Sequence, residues 1–191
     1  NWDKDLFGKN LTTFYGTNLP SKSDKEKHCG NGEFLLIIFY DNDPKYGLVK
    51  TSRGTERVNV NIFSYKEKFR ELTGGGHKIH STNSPSETNH DLTLLLGINY
   101  TDYEISLKNN FNNNKKNENI VKNIPNNVIG VKGWKSLEQL FYVMNSSLNY
   151  VVMRNFEYLP ENRFSKEHGD IDFLVKDLDQ AVFITNAQRL Y

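Results

Sequence analysis

Two stretches of this chain carry side chains whose types and spacing could do chemistry. The first is "GGGHKIHSTNSPSETNHD" at 74–91. His77 and His80 follow three glycines and stand just ahead of a helix-start signal. Glycines let a backbone approach a ligand closely. A helix N-terminus offers free N–H groups and a positive dipole end to an anion. A neutral imidazole there can act near pH 7 as nucleophile or general base. This suits phosphate chemistry, with His80 as the reacting group and His77 beside the phosphate. Two other readings stay open. His77 and His80 could bind zinc together with Glu87, His90 or Asp91, or the histidines could be structural and satisfied by local hydrogen bonds.

The second stretch is "HGDIDFLV" at 168–175. Side chains alternate across a strand, so Asp170 and Asp172 share one face and Ile171, Phe173 and Val175 the other. Two such carboxylates can hold one Mg²⁺ or share two, and metal there neutralises a nucleotide's phosphates during in-line attack. His168-Gly169 ahead of the pair allows a tight approach. The competing reading is an edge strand with an acidic outer face, which discourages pairing with other chains.

The elements that must position these residues can be read from local pattern. Ser84 can cap a helix, Pro85 suits its first position and Glu87 completes a capping box. The spacing predicts a helix to Leu96, with Leu92, Leu95 and Leu96 as its core stripe and Gly97 as its stop. "EFLLIIFY" (33–40) is a continuous apolar run, the pattern of a strand buried on both faces. "DNDPKYG" (41–47) breaks it with turn residues. "RVNVNIF" (57–63) alternates Val58, Val60 and Ile62 with Asn59 and Asn61, which predicts a half-buried strand. "SYKEKFREL" (64–72) reads as a short helix capped by Ser64 and ended by Gly74–Gly76. Residues 1–32 are polar and Gly-punctuated, and read as irregular with a short strand at Leu11–Tyr15.

"NNFNNNKKNEN" (109–119) holds seven Asn in eleven residues. It has too little apolar area to offset chain ordering and reads as a linker or mobile loop. Beyond it, "SLEQLFYVMN" (136–145) predicts a helix with a Ser136–Gln139 capping box and Leu137, Leu140, Phe141 and Met144 facing inward. "YVVMR" (150–154) and "DIDFLV" (170–175) read as strands, and Asp177 as the cap of a last helix.

Composition sets outer limits. The 191 residues suffice for one large or two small domains, and 22 Phe and Tyr supply much of the apolar area. A net charge of +1 with no basic–aromatic stripe gives no attraction to nucleic acid. No run approaches the ~18 apolar residues of a membrane span, and no signal peptide is visible. The single cysteine, Cys29, can make neither an internal disulfide nor a Cys-rich zinc site, so a reducing, cytoplasmic setting is expected. The chain begins at Asn1 and stops at Tyr191 after an apolar run, as a piece of a longer protein would.

"IHSTNSPSETNHDLTLLLG" (79–97) resembles the C-terminal signature of nucleoside diphosphate kinases, in which an Ile-His precedes Gly-Ser-Asp-Ser and an acidic helix. The resemblance implies a histidine that takes a phosphoryl group from a donor nucleotide, and His80 stands at that place. Upstream, "RGTER" (53–57) is similar to the family's Pro-Gly-Thr-Ile-Arg-Gly segment, which implies that Thr55 and Arg57 hold phosphates. Gly75-Gly76-His77 stands where the family has Gly-Arg-Asn, and its Lys-Pro-Asp has no clear equivalent.

"YVVMRNFEYLP" followed by "HGDIDFLVKDLDQA" is similar to the core of the nucleotidyltransferase superfamily related to DNA polymerase beta. There an Asp-x-Asp strand binds the catalytic metals, which implies metal binding by Asp170 and Asp172. Met153-Arg154-Asn155 replace the family's Gly-Ser, and the third carboxylate would lie beyond Tyr191. Chains joining these two kinds of segment suggest bacterial surface-polysaccharide biosynthesis.

The expectation is an α+β (or α/β) chain. Residues 1–107 would form a kinase-like antiparallel sheet with helices, 108–127 a linker, and 128–191 part of a nucleotidyltransferase-like unit. The expected activity is phosphoryl or nucleotidyl transfer to a small-molecule or glycan-linked substrate. A nucleoside triphosphate would be the donor and Mg²⁺ the metal, with self-association open. The alternative is a nucleotide- or phosphosugar-binding module without turnover.

Overall fold

The computed structural model describes residues 2–112, 127–154, 156–157, 159–160 and 170–190. The fold is α+β: among the described residues, seven helices accompany two antiparallel strand pairs.

A 3-10 turn at Lys4–Leu6 runs into α1 (Phe7–Tyr15). The residues expected to be irregular, with a strand at Leu11–Tyr15, are therefore helical. The buried face of α1 includes Asn10 and Thr13 beside Phe7, Leu11 and Phe14, and those polar positions mask the helical period. Asn10 is fully buried. Its Nδ2 donates to the Leu6 carbonyl at 2.9 Å and to Asn127 Oδ1 at 2.8 Å. Its Oδ1 accepts from the Val128 N–H at 2.6 Å. Gly16 ends the helix at φ 58°, a left-handed conformation that glycine adopts at little cost. Helix α2 (Asp24–Cys29) follows, capped by Ser23.

Residues 33–40 do not form the expected strand. They are assigned no regular structure, and among the described residues no hydrogen bond is made by 34–40. Among the described residues, strands β1 (Tyr46–Thr51) and β2 (Gly54–Asn59) pair only with each other, as a hairpin with Tyr46 opposite Asn59 and Thr51 opposite Gly54. The apolar run thus has the composition of a central strand without the ladder that would make it one.

The strand expected over 57–63 stops at Asn59. The Asn59 side chain accepts from the N–H groups of Asn61 and Ile62 at 3.2 and 3.3 Å and starts α3 (Val60–Leu72) there rather than at Ser64. The cap outcompetes continued alternation. Beyond α3, Gly74, Gly75 and Gly76 all take positive φ, as a glycine stop requires.

Helix α4 (Pro85–Leu96) has the expected bounds: Ser84 Oγ accepts from the Glu87 N–H at 3.2 Å, and Gly97 closes it at φ 70°. Leu92, Leu94 and Leu95 are buried, while Leu96 is half-buried. Helix α5 (Tyr100–Asn112) takes in the start of the Asn-rich stretch; the rest of it, 113–119, lies outside the described residues.

Helix α6 (Leu137–Ser147) starts at Ser136 as expected. It buries Phe141, Val143 and Met144, with Leu137 and Leu140 half-buried. Strand β3 (Tyr150–Arg154) pairs antiparallel with β4 (Asp172–Val175), with an irregularity between Val152 and Arg154. Strand β4 begins two residues later than expected, so Asp170 precedes it. Helix α7 (Leu178–Thr185) is capped by Asp177, whose Oδ1 accepts from the Gln180 N–H at 2.9 Å.

One buried cluster joins Phe14 of α1, Leu94 and Leu95 of α4, Val128, Val131, Val143 of α6 and Ile184 of α7. The segments on either side of the Asn-rich stretch, expected as separate units, share this core. On the C-terminal side, the Trp134 indole N–H donates to the Thr185 carbonyl at the end of α7 at 2.8 Å.

Candidate functional site

Helix α4 organises the histidine segment. His80 lies in the chain leading to the helix, and its ring returns to the second turn. Nε2 meets Asp91 Oδ2 at 2.8 Å. A carboxylate can only accept, so Nε2 carries the proton and, in the neutral ring, Nδ1 holds the lone pair. No protein group bonds Nδ1 among the described residues. Asp91 is buried, whereas the His80 side chain is one-third exposed. The imidazole is wedged edge-on against Phe14 and Tyr15, with centroids at 5.6 and 5.7 Å. The carboxylate thus orients the imidazole and leaves the second ring nitrogen without a protein partner among the described residues. Next to it, Ser81 Oγ is buried with no hydrogen-bond partner among the described residues.

His90 plays a different part. Its Nε2 donates to the Phe14 carbonyl at 2.8 Å, and its Nδ1 accepts from Ser147 Oγ at 2.7 Å. Both nitrogens tie α4 to α1 and α6, which is the structural role that sequence left open for these histidines.

His77 is exposed, its ring edge-on to His28 at 5.7 Å, and its carbonyl accepts from the Cys29 thiol at 3.1 Å. Desolvation lowers its pKa below the usual histidine range, and the charges of Lys25, Arg70 and His28 push the same way. Burial raises the Cys29 pKa and so works against a thiolate, although Lys25 and Arg70 oppose it.

Sequence reasoning missed the cations around the histidines. Lys25 Nζ sits 3.2 Å from the centroid of Tyr15, the ring that also braces His80, and burial lowers its pKa. Arg70 Nε donates to the Ile79 carbonyl at 3.1 Å, and its Nη1 pairs with Glu67 at 3.0 Å. Arg53, from the hairpin turn, approaches Glu87 at 3.6 Å. No local motif flags them, because tertiary packing brings them there.

The expected phosphate clamp sits elsewhere. Thr55 and Arg57 are exposed alternate residues of β2, on one face of the strand. Arg57 lies 5.2 Å from the Tyr46 ring centroid. Neither makes a described hydrogen bond, ion pair or ring contact with the histidine segment. The N-terminus of α4 is also less open than its sequence suggests. The Glu87 carboxylate accepts from the Asn83 N–H at 2.7 Å, one residue beyond a standard capping box, and so places a negative charge where an anion would bind. Beneath it, Lys66 is buried and donates to Asn83 Oδ1 at 3.0 Å, and burial lowers its pKa.

In the second candidate, Asp172 lies opposite Arg154 across β3–β4, and the guanidinium is paired with its carboxylate. That pairing, with a smaller contribution from Asp170, raises the Arg154 pKa. Two carboxylates are hard oxygen donors that suit Mg²⁺, but a cation at Asp172 must compete with Arg154. His168 and Gly169 lie outside the described residues. Among the described residues, no group of three or more His, Cys, Asp or Glu is placed to hold a metal ion, and no helix is long and apolar enough to cross a membrane.

Comparison with family models, with curated proteins and with solved structures finds no match to this chain.

Proposed function

We propose that the chain takes part in phosphoryl or nucleotidyl transfer to a small-molecule or glycan-linked substrate, with His80 as phosphoryl acceptor or general base. The observation that carries this reading is the His80–Asp91 pair, a half-open imidazole whose Nε2 proton is held by a buried carboxylate. Acting as acceptor, the Nδ1 lone pair attacks the γ-phosphorus of a nucleoside triphosphate. A P–N bond forms, the bond to the bridging oxygen breaks, and nucleoside diphosphate leaves. Asp91 stabilises the ring as it becomes cationic, the role such a carboxylate plays beside a catalytic imidazole.

Lys25 and Arg70 are the cations best placed to hold the transferring phosphates, with His77 beside them. Thr55 and Arg57 on the hairpin are candidates for more remote groups of the substrate. Asp170 and Asp172 would hold Mg²⁺, the usual partner of a nucleotide's phosphates, once Arg154 is displaced.

The test is incubation with γ-phosphate-labelled nucleoside triphosphate and Mg²⁺. Acid-labile, alkali-stable label that disappears in a folded His80→Ala protein supports the reading. Absence of both label and nucleotide binding ends it. One observation favours the alternative of a nucleotide- or phosphosugar-binding module without turnover, namely the engagement of Asp172 by Arg154. That reading expects calorimetric binding of nucleotide or phosphosugar and no product.

A further inference from the structure

Residues 34–40 hold seven consecutive apolar side chains and no described backbone hydrogen bond. Phe34 sits 5.3 Å from the Trp2 ring, and Leu36 packs against the core cluster. Leu35, Ile37 and Phe39 are 83%, 69% and 63% exposed, Phe34 and Ile38 less so at 43% and 38%, and Tyr40 is 62% exposed. From Phe34 to Phe39 exposure alternates with the period of two of a strand, Tyr40 departs from it, and the backbone edges are unpaired among the described residues. Exposed strand edges of this kind are templates for pairing with another chain.

We propose that this strap pairs with the open edge of β1 in a second copy of the chain. Among the described residues, β1 is paired on one side only, to β2. Its exposed positions are Tyr46, Leu48 and Lys50. An antiparallel register with Ile37 opposite Leu48 sets Phe39 opposite Tyr46 and Leu35 opposite Lys50. Leu35, Ile37 and Phe39 then meet the exposed β1 residues Lys50, Leu48 and Tyr46, Leu36 meets half-buried Val49 on the other face, and Tyr40 falls opposite Lys45, just before β1. A shift of one residue would set the outward strap residues against the inward face of β1.

Charge selects the same partner. Acids bracket the strap, Glu33 before it and Asp41 after it, whereas Lys45 and Lys50 bracket the apolar part of β1. Pairing one strap with another is disfavoured, because an antiparallel pair centred on Ile37 places Glu33 opposite Asp41. In the strap–β1 register, Lys50 is the diagonal neighbour of Glu33 on one face, within reach of a long side chain.

Two-fold symmetry makes the contact twice, strap to β1 and β1 to strap.

Sedimentation of the 191-residue chain over a wide concentration range, with amide exchange of residues 34–40, tests the proposal. The expected result is a dimer that dissociates on dilution, with 34–40 protected only in the dimer. Ile37→Lys, at a site already exposed, should give a folded monomer at every concentration. Glu33→Lys and Lys50→Glu should each weaken the dimer at least several-fold, and together restore it. Three results overturn the proposal: a monomer throughout with unprotected 34–40, association that survives Ile37→Lys, or protection of 34–40 in the monomer, which would mean pairing within one chain.

Discussion

His80 and Asp91 are eleven residues apart in sequence, and their Nε2 and Oδ2 atoms are 2.8 Å apart. The ring leaves a loop that has just passed three glycines, and the carboxylate comes from a buried position on a well-capped helix. One partner is accessible and the other is fixed. The buried acid sets the tautomer, and no described group bonds the other ring nitrogen.

Replacing Asp91 by Asn removes the charge that holds the Nε2 proton. Under the proposed function, phosphorylation of His80 in Asp91→Asn slows by at least about ten-fold, as loss of an imidazole-orienting carboxylate does elsewhere. The fold loses about 1–2 kcal/mol, the cost of disturbing a buried hydrogen bond to a charged group. Rapid-quench labelling and urea unfolding read the two effects separately. An unchanged rate removes Asp91 from the mechanism.

Asn10 ties α1 to the chain beyond the Asn-rich stretch through Asn127 and Val128. Asn10→Ala leaves the buried Val128 N–H without an acceptor and should cost about 2–3 kcal/mol. Because the two sides share one core, wild type and variant should each unfold in a single transition, with fluorescence and far-UV dichroism coincident. Separate transitions for the two probes would mean that the halves unfold independently.

His77 has a folded pKa below its ordinary value of 6.5. The unfolded chain therefore binds the proton more readily, and stability falls as pH drops below about 6.5 toward the folded value. Well above 6.5 both states are neutral at this residue, and its effect vanishes. His77→Asn should flatten this part of the stability–pH curve and leave the neutral-pH end unchanged. Urea unfolding between pH 5 and 8 measures it, and an identical slope in the variant contradicts the assignment.

Arg154 and Asp172 form an exposed pair, so Arg154→Ala should change stability by less than about 1 kcal/mol. Its effect on metal should be larger. With the guanidinium gone, Asp170 and Asp172 attract a divalent cation more strongly, and Mn²⁺ binding followed by water-proton relaxation should tighten several-fold. No change in Mn²⁺ affinity would remove these aspartates as metal ligands.

Elements with a local chemical signature were legible in the sequence. Ser84-Pro85 with Gly97, Ser136 with Gln139, and Asp177 each fix a helix end by a hydrogen bond or backbone conformation confined to a few residues. Elements settled by tertiary contact were not. Helix α1 hides its period because buried Asn10 and Thr13 look polar in sequence. The strand at 57–63 is cut by Asn59, whose side chain suits a cap as readily as an alternating strand. The run at 33–40 has strand composition, but composition does not supply a neighbour. In the site, the histidine segment was visible from its glycines and helix start. The choice of Asp91 for His80, of Ser147 and Phe14 for His90, and of Lys25 and Arg70 as nearby cations depends on packing between residues far apart in sequence.

The central claim is that His80 accepts phosphate on the nitrogen that Asp91 leaves open. The most direct measurement is phosphorus and nitrogen NMR of the protein after reaction with a nucleoside triphosphate and Mg²⁺, read beside His80→Ala. The account predicts one phosphohistidine, at Nδ1 of His80, and none in the variant. No phosphohistidine in the wild type, or the same signal in His80→Ala, would contradict it.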